Sequence, residues 1–162
     1  MRDPESDPTP VDLLDPCRAD GMLAPAPVPR RPDEERRDRR IAEIKAVTIA
    51  ESLTTAQTAR LLSISESAVR RRRADGRLYS FPLFRHWRYA SWQFTDSGLL
   101  LGIDDVNRTI PRSVHPAFVR GLMLAPRPGL GPGDRLESPR DFLLRGGDPA
   151  TVIELFEMIR DL

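Results

Sequence analysis

The chain has one cysteine, Cys17, two histidines, His86 and His115, and one lysine, Lys45, among 162 residues. A single thiol excludes an intramolecular disulfide, and one cysteine with two histidines cannot make a cysteine–histidine zinc set. No apolar run approaches the roughly 20 residues that a membrane-spanning helix needs. Asp3, Glu5 and Asp7 occupy the first positions with no apolar segment after them, so no secretory signal is expected and the cytoplasm is the expected compartment. Catalytic signatures are absent as well: there is no G-x-S-x-G, no H-E-x-x-H and no G-x-x-x-x-G-K-[ST]. The GLGPGD run at 129–134 lacks the lysine and hydroxyl of a phosphate loop and reads as a turn. Asp104-Asp105 reads as a solvated helix edge. An enzyme, a resident cofactor and a metal centre are therefore not expected.

Proline, by contrast, is concentrated. Eight of the sixteen prolines fall within residues 1–32 and leave no apolar period between them, which predicts a disordered tail. VDLLD at 11–15 is either a docking motif or a chance apolar cluster. Residues 33–52, DEERRDRRIAEIKAVTIAES, predict a helix that opens on acids, with Glu35 and Arg39 at i,i+4 spacing. Ile41, Ile44, Val47 and Thr48 form its apolar stripe, suited to packing on the next module or to dimerisation.

Residues 54–94 carry most of the positive charge. Eight arginines (60, 70, 71, 72, 73, 77, 85 and 88) stand against Glu66 and Asp75, a net of +6 where the whole chain is +1, leaving −5 elsewhere. That is a local electrostatic footprint. Thr54 or Thr55 can cap a helix over Ala56 to Leu62, Ser63-Ile64 makes a corner, and Ser65 caps a second helix from Glu66 to Ala74 that stops at Asp75-Gly76. Two helices around a three- to four-residue turn predict a helix-turn-helix. Four successive arginines step about 100° each around a helix, so they cannot share one face, and Arg72 or Arg73 must lay its stem over the core. Ser65, Glu66, Ser67, Arg70 and Arg71 are the expected base or phosphate contacts. Two strand-like runs around Pro82 to Arg85 predict a two-stranded wing, with Trp87 and Tyr89 turned inward and His86 and Arg88 outward, and Arg85 at the tip.

After Phe94 the predicted architecture is helical. One helix is expected over Leu99 to Ile110 and another from His115-Pro116, and a Pro/Gly loop follows at 125–137. Ser138-Pro139-Arg140-Asp141 opens a short helix that stops at Gly146 or Gly147. A last helix over Ala150 to Arg160 carries Val152, Ile153, Leu155, Phe156 and Ile159, too many apolar groups for a lone exposed helix. The expected fold is mainly α: a disordered tail (1–32), a helix (33–52), a winged helix-turn-helix (53–94) and a helical partner-binding domain (95–162).

Two stretches resemble known families. Leu53 to Phe94 resembles the MerR-type, excisionase-like helix-turn-helix, whose pattern L-T-x-x-x-A-x-L-L-x-V-S-x-S-T-V-x-R precedes a hairpin ending in W-R. Leu53, Thr54, Ala59, Leu62, Ile64, Ser65, Ser67, Val69, Arg71, Gly76, Leu78, Trp87 and Arg88 stand at matching positions. Ser63 replaces the usual turn glycine, Arg73 an apolar residue, and Phe84-Arg85 a Gly-Gly wing tip. Phe118 to Ile159 resembles the toxin-binding domain of the Xre–MbcA–ParS antitoxins through Ser138, Pro139, Phe142, Leu143, Leu144, Gly147, Asp148, Val152 and Leu155. Members of that family usually pair the domain with a wingless helix-turn-helix. The resemblance implies an antitoxin that dimerises, binds its own promoter as double-stranded DNA and neutralises a cognate toxin, often a RES-domain enzyme that degrades NAD. Phe118, Phe142, Leu143, Val152, Leu155, Phe156 and Ile159 are the implied partner contacts. The alternatives are a MerR-like or excisionase-like regulator without a toxin, and an adaptor that touches nucleic acid nonspecifically.

Overall fold

The computed structural model describes residues 31–160, with the side chains of residues 159 and 160 left out. The proline-rich tail at 1–30, VDLLD at 11–15 and Cys17 lie outside the described residues. Within them the chain is mainly helical, with small antiparallel sheets.

Helix α1 spans Pro32–Ala50 and begins where expected, with Pro32 in its first turn and Asp33, Glu34 and Glu35 at its positive end. Its apolar stripe is mostly uncovered. Thr48 is buried, while Ile41, Ile44, Val47 and Ile49 remain exposed. The C-terminal end is tied to the body by Glu51, whose carboxylate accepts from Arg120 Nε at 2.8 Å and Nη2 at 3.0 Å.

Two short helices follow, α2 (Thr55–Leu61) and α3 (Glu66–Ala74). Thr54 caps α2: its hydroxyl accepts from Gln57 N at 3.1 Å and Gln57 Oε1 accepts from Thr54 N at 2.8 Å, a complete capping box. Helix α2 ends in a Schellman motif. Ser63 takes the left-handed conformation (φ 52°), its N–H donates to Arg60 O, and Ile64 N–H donates to Ala59 O at 3.0 Å. Helix α3 ends the same way on Gly76 (φ 72°), with Arg77 N–H on Arg72 O at 2.8 Å.

A hairpin of β2 (Ser80–Leu83) and β3 (His86–Tyr89) turns through Phe84-Arg85. The sheet is three-stranded rather than two-stranded, because β1 (Leu53–Thr54) pairs antiparallel with β3 and gives the order β1-β3-β2. Thr54 is extended as the cap of α2, and that same conformation lets Leu53 and Thr54 join the ladder. Pro82 sits on the edge strand, where a missing N–H costs no ladder bond. Ala59, Val69, Leu78, Tyr89 and Phe94 fill the core beneath.

The segment expected to be one helix from Leu99 divides. A 3₁₀ turn at Ser91–Gln93 leads into β4 (Phe94–Thr95), which pairs with β5 (Gly98–Leu99), and α4 runs only from Ile103 to Thr109. Then come α5 (Pro116–Leu124), α6 (Pro139–Leu144) and α7 (Pro149–Arg160). His115 Nδ1 caps α5 by accepting from Ala117 N at 3.1 Å, and Ser138 caps α6 by accepting from Asp141 N at 3.1 Å. Helix α6 also closes in a Schellman motif, on Gly146 (φ 90°).

A second core joins Ala90 and Trp92 to Ile103, Val106, Ile110, Val119, Leu122, Met123, Leu143, Val152 and Phe156. The two cores meet at Leu99, which packs against both. Gln93, fully buried, stitches the meeting point. Its amide takes Tyr79 N at 2.8 Å and gives hydrogen bonds to Tyr79 O and Ala90 O, while Asn107 Nδ2 on α4 donates to its oxygen at 3.1 Å. Burial pushes the phenol of the neighbouring Tyr79 well above its ordinary pKa.

Candidate nucleic-acid interface

Helix α3 separates its arginines by phase. Val69, Arg72 and Arg73 share the inner stripe at i, i+3, i+4, while Ser67, Arg70, Arg71 and Ala74 form the outer one. Val69 is fully buried, Arg72 and Arg73 are half-buried, and every residue of the outer stripe is exposed. Arg73, at a position expected to be apolar, lays its guanidinium over Trp87 at 4.0 Å.

At the N-terminal end of α3, Ser65 accepts from Ala68 N at 3.2 Å, and its hydroxyl lies 2.9 Å from that of Ser67. Glu66 and Arg70 form an exposed pair at 2.8 Å one turn apart, which holds the Arg70 fork along the helix surface. Arg71 has no side-chain partner among the described residues. The N-cap and the outer stripe together therefore present two hydroxyls, a steered guanidinium and an uncompensated one. Such a set can bond base edges and phosphates together.

The hairpin contributes less than expected. Arg88 does not face outward: its Nε donates to Ser52 Oγ at 2.9 Å and its Nη2 to Ser52 O at 2.6 Å. Nε and Nη2 are spent fastening the hairpin to the end of α1, so Arg88 is a structural clamp and does not stand free on the outer face as expected. Strand alternation is also incomplete, because the hairpin outruns the helices: Tyr89 is buried, whereas Trp87 is 41% exposed beyond the core edge. At the tip Phe84 takes φ 54° and is 95% exposed. Arg85 and His86 are exposed beside it. Phe84 was not among the expected contacts, nor were Arg60 and Arg77, two further exposed cations on this module.

Comparison with protein families, curated proteins and solved structures returns no match.

The expected partner contacts divide differently. Leu143, Val152 and Phe156 are core residues, each no more than 3% exposed, so they cannot form a contact surface on this fold. Their apolar demand is met by α4 and α5 of the same chain. Phe142 and Leu155 are half-buried, Phe118 is half-exposed, and the Ile159 side chain lies outside the described residues. Phe142 and Gly147 explain each other: a Cβ on Gly147 would lie 2.4 Å from the Phe142 ring. Among the described residues from α5 to α7, Leu136, Leu144 and Met158 are, like Phe118, large apolar groups more than half exposed.

Among the described residues no cluster of His, Cys, Asp and Glu could hold a metal ion, and no helix is long and apolar enough to cross a membrane.

Proposed function

We propose that residues 53–94 are a winged helix-turn-helix that reads double-stranded DNA, with α3 as the recognition helix and the β2–β3 hairpin as the wing. The observation that carries this reading is the outer stripe of α3, where Arg70 and Arg71 face water over a buried Val69. Ser65, Glu66, Ser67, Arg70 and Arg71 meet base edges and adjacent phosphates, and Arg85 and His86 hold the flanking backbone. The exposed Ile41, Ile44 and Val47 on α1 suit a homodimer. Two half-sites about one helical turn (~34 Å) apart then follow.

The fuller reading is an antitoxin that represses its own operon and holds a cognate toxin on the C-terminal helices, a RES-domain enzyme fitting the resemblance best. Phe118, exposed on α5, supports a protein contact there. The alternative, a regulator without a toxin, is favoured by the burial of Val152 and Phe156 in the chain's own core. That burial places Val152 and Phe156 of α7 against the chain's own helices.

Selection from a random duplex library with the full chain tests the DNA half. The expected result is one recovered sequence, bound at least about 10³-fold more tightly than random duplex at physiological salt. Steep salt dependence with no recovered sequence overturns it and leaves a nonspecific phosphate binder. Co-expression with the adjacent gene tests the toxin half. The antitoxin reading expects that gene alone to arrest growth, and the pair to restore it and co-purify.

A further inference from the structure

A cavity of about 540 Å³ lies where the C-terminal end of α3, the edge strand β2 and the connection from α4 to α5 meet. That volume is in the range of small-molecule sites. Leu78, Phe81, Trp87 and Ile110 give it an apolar and aromatic wall.

Three arginines also line it, and they are not equivalent. Arg108 is neutralised by Asp105 at 2.6 Å and Asp104 at 4.0 Å. Arg112 has no side-chain partner among the described residues. Arg73 has only the face of Trp87, and its Nε is buried with no acceptor. Two guanidiniums therefore stand at the cavity uncompensated by any described carboxylate.

Asn107 adds an independent demand. It lines the cavity, is 6% exposed, and gives Nδ2 to Arg77 O at 3.0 Å and to Gln93 Oε1 at 3.1 Å. Its Oδ1 is buried without a donor and closed to water-sized groups, so a ligand donor reaches it only when the Asn107 side chain shifts toward the cavity. Rotating the amide does not repair this, because Oδ1 would then face a carbonyl and a Gln93 oxygen already committed to Tyr79 N. A buried acceptor left unmet costs about 1–3 kcal/mol, so such groups are usually satisfied.

We propose that this cavity binds a small organic anion with a planar or apolar body: its acid group meets Arg73 and Arg112, and, with the Asn107 side chain shifted toward the cavity, an N–H or O–H meets Oδ1. An inorganic anion leaves the apolar and aromatic wall uncovered. An apolar molecule without a donor satisfies neither polar demand. The site stands beside the proposed DNA-reading elements but does not depend on them.

Calorimetric titration of the full chain with matched probes tests this. 4-Aminobenzoate and 4-hydroxyphenylacetate carry all three features, benzoate lacks the donor, aniline lacks the acid, and inorganic phosphate lacks the body. At least one of the first two should saturate at one per chain. Benzoate, aniline and phosphate should each bind about tenfold more weakly or worse, the loss of one charged or buried hydrogen-bonded contact. Arg112→Ala, exposed and uninvolved in folding contacts, should weaken the complete probe about tenfold with an unchanged melting temperature. No saturable binding of either complete probe up to about 10 mM overturns the proposal. So does phosphate binding as tightly as the complete probe, or Arg112→Ala binding like the parent chain.

Discussion

The α3–hairpin region and the C-terminal helices are both rich in arginine and use it in opposite ways. In the first, Arg60, Arg71, Arg72, Arg77 and Arg85 have no side-chain partner among the described residues. In the second, Arg120 grips Glu51 with two hydrogen bonds, and Arg145 takes both oxygens of Glu137 and the carbonyl of Leu130. Arg140 reaches back to Trp92 O at 3.1 Å and Phe94 O at 3.3 Å. A clamped arginine leaves stranded acceptors when it is removed, so its loss appears in stability. An unclamped and exposed one, such as Arg71, leaves nothing stranded, so its loss appears only where a partner molecule meets it. Most arginines of the first region are thus free to meet a partner molecule while those named in the second are structural, with Arg88, clamped to Ser52, and Arg112, unpartnered beside the cavity, as the exceptions on either side.

The largest effect expected from this contrast lies in the C-terminal core. Phe156→Ala should cost about 3–5 kcal/mol of unfolding free energy in a denaturant titration, the usual range for a buried phenylalanine. A loss near zero would mean that α7 does not bury its face on α4. The next pair is a direct exchange of roles. Arg140→Ala should lose about 1–3 kcal/mol of stability by orphaning two carbonyls, with DNA affinity per folded molecule unchanged. Under the DNA-binding reading, Arg71→Ala should lose about 1–3 kcal/mol of DNA affinity and relax one base preference, with stability within about 0.5 kcal/mol of the parent. If Arg71→Ala weakens specific and random duplexes equally, Arg71 touches phosphate and not a base.

How much of this was legible in the sequence follows from the range of each interaction. Caps are local, so Thr54 or Thr55, Ser65, His115-Pro116 and Ser138 mark the helix starts, and Asp75-Gly76 and Gly146 or Gly147 mark two stops. Helical phase is also local, which is why the split of Arg70 and Arg71 from Arg72 and Arg73 could be expected. The clamp from Arg88 to Ser52 spans 36 residues and has no sequence signature. Without it, strand alternation alone sent Arg88 to solvent. The β4–β5 pair was missed because two residues per strand leave no period to read, and the apolar Leu99–Leu101 run suits helix and strand alike. Leu143, Val152 and Phe156 were assigned to a partner for a related reason. Amphipathicity says that a face must be covered, never by which chain.

A smaller effect separates two helix ends that share one geometry. Helices α2 and α3 both close in Schellman motifs, but the left-handed position is Ser63 in one and Gly76 in the other. A non-glycine there costs about 1–2 kcal/mol, and glycine returns about 0.4–1 kcal/mol of that by loosening the unfolded chain. Ser63→Gly should therefore stabilise the protein by roughly 0.5–1 kcal/mol, seen as a higher denaturation midpoint. Phe84→Gly makes the same exchange at the hairpin tip and should also stabilise. Under the DNA-binding reading it should at the same time weaken DNA binding, because it removes the exposed ring beside Arg85. If Phe84→Gly stabilises and leaves binding untouched, the wing tip is outside the interface.

The smallest effect tests the clamped arginines from their acidic side. The hydrogen bond from Arg145 holds the Glu137 carboxyl below its usual pKa, with the charges of Arg145 and Arg135 adding to it against a desolvation cost. A group whose folded pKa is depressed contributes stability above its unfolded value, near 4.3, and loses it as pH falls through the folded value. The parent chain should therefore lose stability more steeply than Glu137→Gln as pH is lowered from about 5 to 3, in urea midpoints taken across that window. Above about pH 5.5 the difference between the two proteins should be constant, because Glu137 is then ionised whether the chain is folded or not. Parallel curves throughout would mean that the Arg145 clamp works only through its bond to Leu130 O. The C-terminal arginines would then be fastened by carbonyls more than by charge, and the contrast with the α3 arginines would rest on backbone geometry.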